Sequence, residues 1–229
     1  MLREYRSFLC IDDYYDLDIK KCQPTILEQY CNQHNIDCKQ LTKYVNKREL
    51  IYDELTDIPK DDIKKAFTIM MFGGAKPTFK SKLVNIDKFY IEIKEIQTQV
   101  VAINNDWFKY ANKKDKLNIN GSVTSYVCQE IENDIVMTAY KYLADLGYTI
   151  GALCFDGLMI RKTKELNKKV IDDLNKSITK LTKYKIEFLI KSFEKTIDVT
   201  DDELNQNKML VISDDLEGVN IVRILIIRS

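Results

Sequence analysis

The stretch CFDGLMI, Cys154 to Ile160, sets one acid and one glycine inside an apolar run. Asp-Gly between hydrophobic residues predicts a two-residue type I′ hairpin turn on Asp156 and Gly157. The wider window YTIGALCFDGLMIRK then reads as two antiparallel strands. The acid admits a second reading that is compatible with the first. A carboxylate among apolar neighbours costs several kcal/mol unless it is paired or binds a metal, so Asp156 is also a candidate ligand for a divalent ion held at a strand turn.

Outward from this hairpin, the periodicity is mostly helical. Upstream, Val127, Ile131, Ile135, Ala139, Tyr142 and Leu146 recur at helical spacing, which predicts a helix over about 125–146 stopped by Gly147. Ile86 to Tyr110 predicts another amphipathic helix, with Phe89, Ile93, Ile96, Val100, Ile103 and Trp107 on one face. A helix over about 41–55 carries Tyr44, Val45, Ile51 and Leu55. A further one starts near Asp57, Pro59, Asp61 and Asp62, with acids at the positive end of the dipole, and runs to Gly73 and Gly74. Pro24 suits the first turn of a helix bearing Ile26, Leu27 and Tyr30, preceded by a strand that ends near DLDIKKC. Downstream of the hairpin, Leu166, Val170, Leu174, Ile178 and Leu181 fit one helix face, and KIEFLIKSF alternates as a strand through Ile186, Phe188 and Ile190. Helices flanking a few non-contiguous strands define an α+β class.

Composition narrows the function classes. The 229 residues are 45% hydrophobic, enough for a real core, and Lys plus Arg equals Asp plus Glu at 35 each. No global positive field advertises a polyanion partner, so any nucleic-acid contact must rest on local patches. No apolar run approaches the roughly 20 residues of a membrane span, and MLREYRSFLCIDD lacks an apolar signal core. An intracellular, soluble protein is expected. The six cysteines show no paired framework and suit a reducing compartment. Cys31, His34 and Cys38, with Cys22 upstream, make a zinc set conceivable, but their spacing is unusual, and small buried thiols are the simpler reading.

Two further segments carry chemistry. In DIKKCQPTIL, Asp18 ends a strand just before a Pro-initiated helix, presenting a carboxylate at an edge; Asp12, Asp13 and Asp16 are competing acids nearby. Lys60, Lys64, Thr68 and Phe72 follow in steps of four along one helix stripe that ends at Gly73. Two cations lie towards the helix start and the aromatic lies ~12 Å beyond Lys64, a layout suited to a triphosphate and a base plane. Without partners, the same stripe is a solvated lysine face over a core phenylalanine.

An acid, a cationic helix closing on aromatic-glycine, and an acid in a hairpin occur here in the order found in family A DNA polymerases. Asp18 with Pro24 resembles motif A of that family, Lys60, Lys64, Phe72 and Gly73 resemble its fingers helix, and Phe155, Asp156 and Gly157 resemble its motif C. NGSVTSYVCQEIENDIVMTAYKYL is similar to the palm helix that leads into motif C. The resemblance covers about 12–191, and its nearest variant is the family A-like polymerase of viruses and transposons, often fused to a superfamily 3 helicase. Lys60 stands where that family has arginine, Phe72 where it has tyrosine, Phe155 where it has histidine, and Gly157 where it has a second polar group.

The resemblance implies a polymerase palm, a small antiparallel sheet backed by helices, over 1–198 with helical fingers at about 40–110. It also implies a linker over 199–229 towards an absent helicase region, whose junction MLVISDDLEGVNIV resembles. It implies a DNA polymerase or primase-polymerase for viral or mobile-element replication, acting on template-primer with dNTP or NTP beside a replicative helicase, in a viral factory or nucleus. Asp18, Asp156 and the Ile19 carbonyl would hold two Mg²⁺ ions, with Mn²⁺ as a substitute. Lys60 and Lys64 would bind the triphosphate, Phe72 and Gly73 the incoming pair, and Gln23 would sit at the sugar. The rival expectation is a catalytically weakened palm that binds nucleic acid or docks a helicase. The seven lysines between 164 and 185 are either a solvated face or a contact to a nucleic-acid backbone.

Overall fold

The computed structural model describes residues 10–114, 117–193, 210–213 and 222–225. A compact unit, Asp13–Ser192, holds four strands and seven helices. In chain order they are β1 (Tyr14–Ile19), α1 (Cys22–Gln33), α2 (Lys39–Glu54), α3 (Lys60–Met71), α4 (Ile86–Ile103), α5 (Asn105–Lys113), α6 (Ile119–Asp145), β2 (Ile150–Cys154), β3 (Gly157–Arg161), α7 (Lys168–Thr182) and β4 (Phe188–Lys191). The fold is α+β with a small antiparallel sheet.

The sheet runs β2-β3-β1-β4. β1 is central: Leu17 lies opposite Leu158 on β3 and Ile190 on β4, and Ile19 lies opposite Phe188. Residues directly opposite share a face. One face therefore carries Leu17, Ile19, Leu158, Ile160 and Phe188, all buried in the core. The other carries Asp16, Asp18, Gly157, Met159 and Lys191. The outer strand β2 leaves Ala152 and Leu153 exposed, and Ile190 on the opposite edge is also exposed. The apolar character of those two strands thus exceeds their burial.

The longest helix, α6, packs against α1, α4, α5 and α7 and against β2 and β3. It starts at Ile119, earlier than periodicity predicts, because the Asn118 side chain accepts from the Gly121 amide at 3.1 Å and caps the first turn. The helix expected over 86–110 is two. Asn104 breaks it: its side-chain amide donates to the Val100 carbonyl and to the Tyr30 hydroxyl, both at 2.7 Å, at a backbone φ of −110° and ψ of 64°. Leu146 and Leu181, expected inward, lie at helix ends and are exposed.

A second unit comprises residues 1–12 and 193–229. Within the stretch expected to be a linker, Leu210–Ser213 (β5) and Val222–Leu225 (β6) pair as an antiparallel hairpin.

Candidate active site

The turn between β2 and β3 differs from the type I′ expectation by one position. Cys154 pairs with Gly157, so the two turn residues are Phe155 and Asp156, and Gly157 already belongs to β3. The left-handed backbone falls on Phe155, at φ 48°, whose ring is 93% exposed. A non-glycine residue in that region costs about 1–2 kcal/mol, so the tip holds an aromatic under strain and uncovered.

Asp18 and Asp156 come together because their strands are neighbours. Asp18 pairs with Gly157, and the Ile19 amide donates to the Asp156 carbonyl at 3.0 Å, which pins the turn to the end of β1. Burial, then the Asp18 charge, hold the Asp156 carboxyl above the usual carboxylate range. Lys64 and Lys191 act in the opposite direction on the same carboxyl. Lys191 on β4 also pairs with Asp18 Oδ2 at 2.7 Å. Asp16, on the same sheet face and directly opposite Lys191, is buried.

Gly157 is required by this arrangement. A Cβ there would stand 2.5 Å from Asp18 Oδ1 and 2.7 Å from the Leu17 carbonyl oxygen. The position that could have carried a second polar group is instead taken up by the Asp18 carboxylate.

Gln23, in the first turn of α1, donates to Glu132 on α6, and the Cys22 thiol donates to the same Glu132 Oε2 at 3.4 Å. Burial, followed by the Asp156 charge, raises the Glu132 carboxyl above its ordinary range. A third carboxyl therefore senses the Asp156 charge. Its signal in the sequence is its place on an apolar stripe with Cys128, Ile135 and Ala139. Lys191 had a weaker signal, since it alternates with Phe188 and Ile190 and so faces the acids.

The fingers-like residues divide. Lys64 lies within electrostatic reach of Asp156, whereas Lys60, one turn earlier and exposed, is not among the groups that shift it. Phe72 caps α3, half-buried against the core, with Gly73 after it at φ 89°. The end of α3 is tied down from two sides. Gln97 donates to the Met71 carbonyl at 2.9 Å, and Asn118 donates to the Phe72 carbonyl at 2.9 Å.

The donor set offered by Asp18 and Asp156 is all oxygen, and the two charges crowd each other. That suits Mg²⁺, which is held by one or two carboxylates plus waters and substrate phosphates. The zinc alternative loses its geometry: Cys22 is engaged with Glu132, Cys38 with Asn32 and Thr42, and His34 leans over the Tyr30 ring. Among the described residues no group of three or more His, Cys, Asp or Glu is arranged around a common metal position.

No protein-family model matches the chain. It is similar to "Putative helicase V13" of Sputnik virophage, 24% identical over 223 residues, a match that covers 86% of this chain. The chain spans 28% of that protein's length. No helix among the described residues is long and apolar enough to cross a membrane.

Proposed function

We propose that this chain is a template-directed nucleotidyltransferase, a DNA polymerase or primase-polymerase with a palm built on the four-stranded sheet and fingers around α3. The observation that carries the reading is the convergence of Asp18 and Asp156, distant in sequence, at the end of the central strand, with the Lys64 charge acting on Asp156. Similarity to a virophage protein named as a helicase supports a place in viral replication, with a helicase region as partner.

In this reading Asp18 and Asp156, with the nearby Ile19 carbonyl, hold two Mg²⁺ ions. When bound, such ions activate an attacking hydroxyl and stabilise the leaving pyrophosphate. The chain's own groups do the rest. Lys64 neutralises triphosphate charge, and Lys60 takes the outer end of the same helix stripe. Phe72 and Gly73 shape the end of α3 beside the incoming base. Gln23, fixed by Glu132, sits next to the sugar. Lys191 holds Asp18 in place through Oδ2.

Mg²⁺-dependent primer extension tests the reading. Incorporation by the wild type and its loss in Asp156→Ala are expected, whereas full incorporation by Asp156→Ala would refute it. Lys64→Ala should raise the nucleotide KM about tenfold, equal to ~1.4 kcal/mol, with a smaller effect on kcat. Tight binding of nucleic acid or a helicase without incorporation would favour the weakened, non-catalytic palm, for which the missing second polar group at Gly157 is the specific observation.

A further inference from the structure

On the β4 side of β1, away from Asp156, four segments enclose a groove of about 790 Å³. They are the β1–α1 turn, the middle of α2, the second half of α7 and the approach to β4. Lys20, Lys21, Lys176, Lys180 and Lys185 line it, against a single acid, Glu187. In a chain whose charges balance at 35 each, five cations facing one anion are a local surplus. Glu187 is spent on Lys20 at 3.2 Å, and Lys176 pairs with Asp173 at 3.0 Å. Lys180 and Lys185 have no acidic partner among the described residues. Burial, then the charge of Arg48, push the Lys21 amine below the usual lysine range. Lys20 acts on it in the same direction.

The walls are fixed by hydrogen bonds to backbone, from three side chains and one main-chain amide. Gln29 accepts from the Lys185 amide at 2.7 Å and donates to the Lys185 carbonyl at 2.9 Å. Asn175 accepts from the Phe188 amide at 2.9 Å. Lys21 donates to the Val45 carbonyl at 2.8 Å, and the Lys20 amide donates to the Glu187 carbonyl at 2.9 Å. A rigid cationic groove binds an anion without first paying for its own ordering.

We propose that this groove binds the phosphate backbone of a single nucleic-acid strand. Its volume is that of a few nucleotides of one strand. It has no aromatic lining on which bases would stack, so contact runs through phosphates and is insensitive to sequence. Choosing a nucleic-acid strand over another polyanion rests on the nucleotidyltransferase reading. The groove begins at Lys20, two residues beyond Asp18 in the chain.

The test is fluorescence anisotropy of a labelled oligo-dT with the full chain at several salt concentrations. Wild type is compared with the double variant Lys180→Glu/Lys185→Glu and with Lys88→Glu/Lys113→Glu as a control on exposed lysines elsewhere. The groove variant should weaken binding by about tenfold or more. It should also reduce the slope of log affinity against log salt by about 1.4, two contacts at ~0.7 each for a single strand, while the control matches wild type. Unchanged affinity and slope in the groove variant, or displacement of the oligonucleotide by polyglutamate at equal charge concentration, would overturn the proposal. Primer extension separates it from the catalytic reading. A chain that binds through the groove but never extends retains this inference and loses the other. A chain that extends, with groove variants binding like wild type, does the reverse.

Discussion

At Gly157 and Asp156 the chain trades stability for a charged site. A methyl at 157 would meet Asp18 Oδ1, so Gly157→Ala should displace that carboxylate from Lys191. A loss of about 1–3 kcal/mol, typical of forced overpacking, is expected in urea melts, together with at least a tenfold drop in incorporation. Asp156→Asn should behave in the opposite sense on stability. The folded-state Asp156 carboxyl lies above its ordinary range, owing chiefly to burial and then to Asp18. Below the ordinary value of about 3.9 both folded and unfolded chains hold the proton, and no penalty applies. As pH rises from there to the raised folded value, the unfolded chain gives up its proton first, so stability falls; above the folded value the penalty is constant. Asp156→Asn removes that penalty. It should melt higher than wild type at pH 7, by about 2–4 °C for each ~1 kcal/mol relieved, with the advantage vanishing near pH 3, and it should be inactive in primer extension. Equal melting temperatures at pH 7 would mean that the acid pair is not strained.

Among the elements, helices were legible in the sequence because their apolar spacing is a local property, and α2, α3 and α7 fall close to where spacing puts them. The departures come from side chains reaching outside their own segment. Asn104 splits a periodic run by bonding to Tyr30 on α1, and Asn118 starts α6 while also holding the end of α3. The two acids were legible as well, each standing at a strand end or turn. Their neighbours Lys191 and Glu132 were legible only as positions, on an alternating strand and an apolar stripe, because strand order and the packing of α6 against α1 are set by the tertiary fold. Asn118 offers the sharpest test at this scale. Its oxygen caps the start of α6 and its nitrogen caps the end of α3, so Asn118→Ala removes two caps at once. Each such loss costs about 1 kcal/mol, so the two together give an expected fall in Tm of about 4–8 °C by calorimetry. Because Phe72 and Gly73 sit on the freed end, nucleotide KM should rise as well. A lower Tm with unchanged KM would separate α3 from nucleotide binding.

For the molecule as a whole, the question is where the folding unit ends. Every described buried hydrophobic residue lies between Leu17 and Phe188, inside the unit Asp13–Ser192. Both edges of the sheet, β2 and β4, belong to that unit, as do the acid pair, Lys64, Lys191 and the basic groove. A unit of this size, with a contiguous core joining the sheet to α1, α2, α4 and α6, meets the requirement for independent folding. Residues 13–192 expressed alone should therefore unfold in one cooperative transition and keep the near-UV spectrum of Trp107, which lies against Tyr110 and Tyr126. Mg²⁺ provides a second readout on the same fragment. A cation that binds the folded acid pair and not the unfolded chain raises Tm with concentration by linkage, and Asp156→Asn should abolish that rise. A fragment that folds cooperatively but shows no Mg²⁺ response in either form would leave the fold intact and remove the metal from the site. A fragment that fails to fold would show instead that the second unit supplies packing that the core of the first needs.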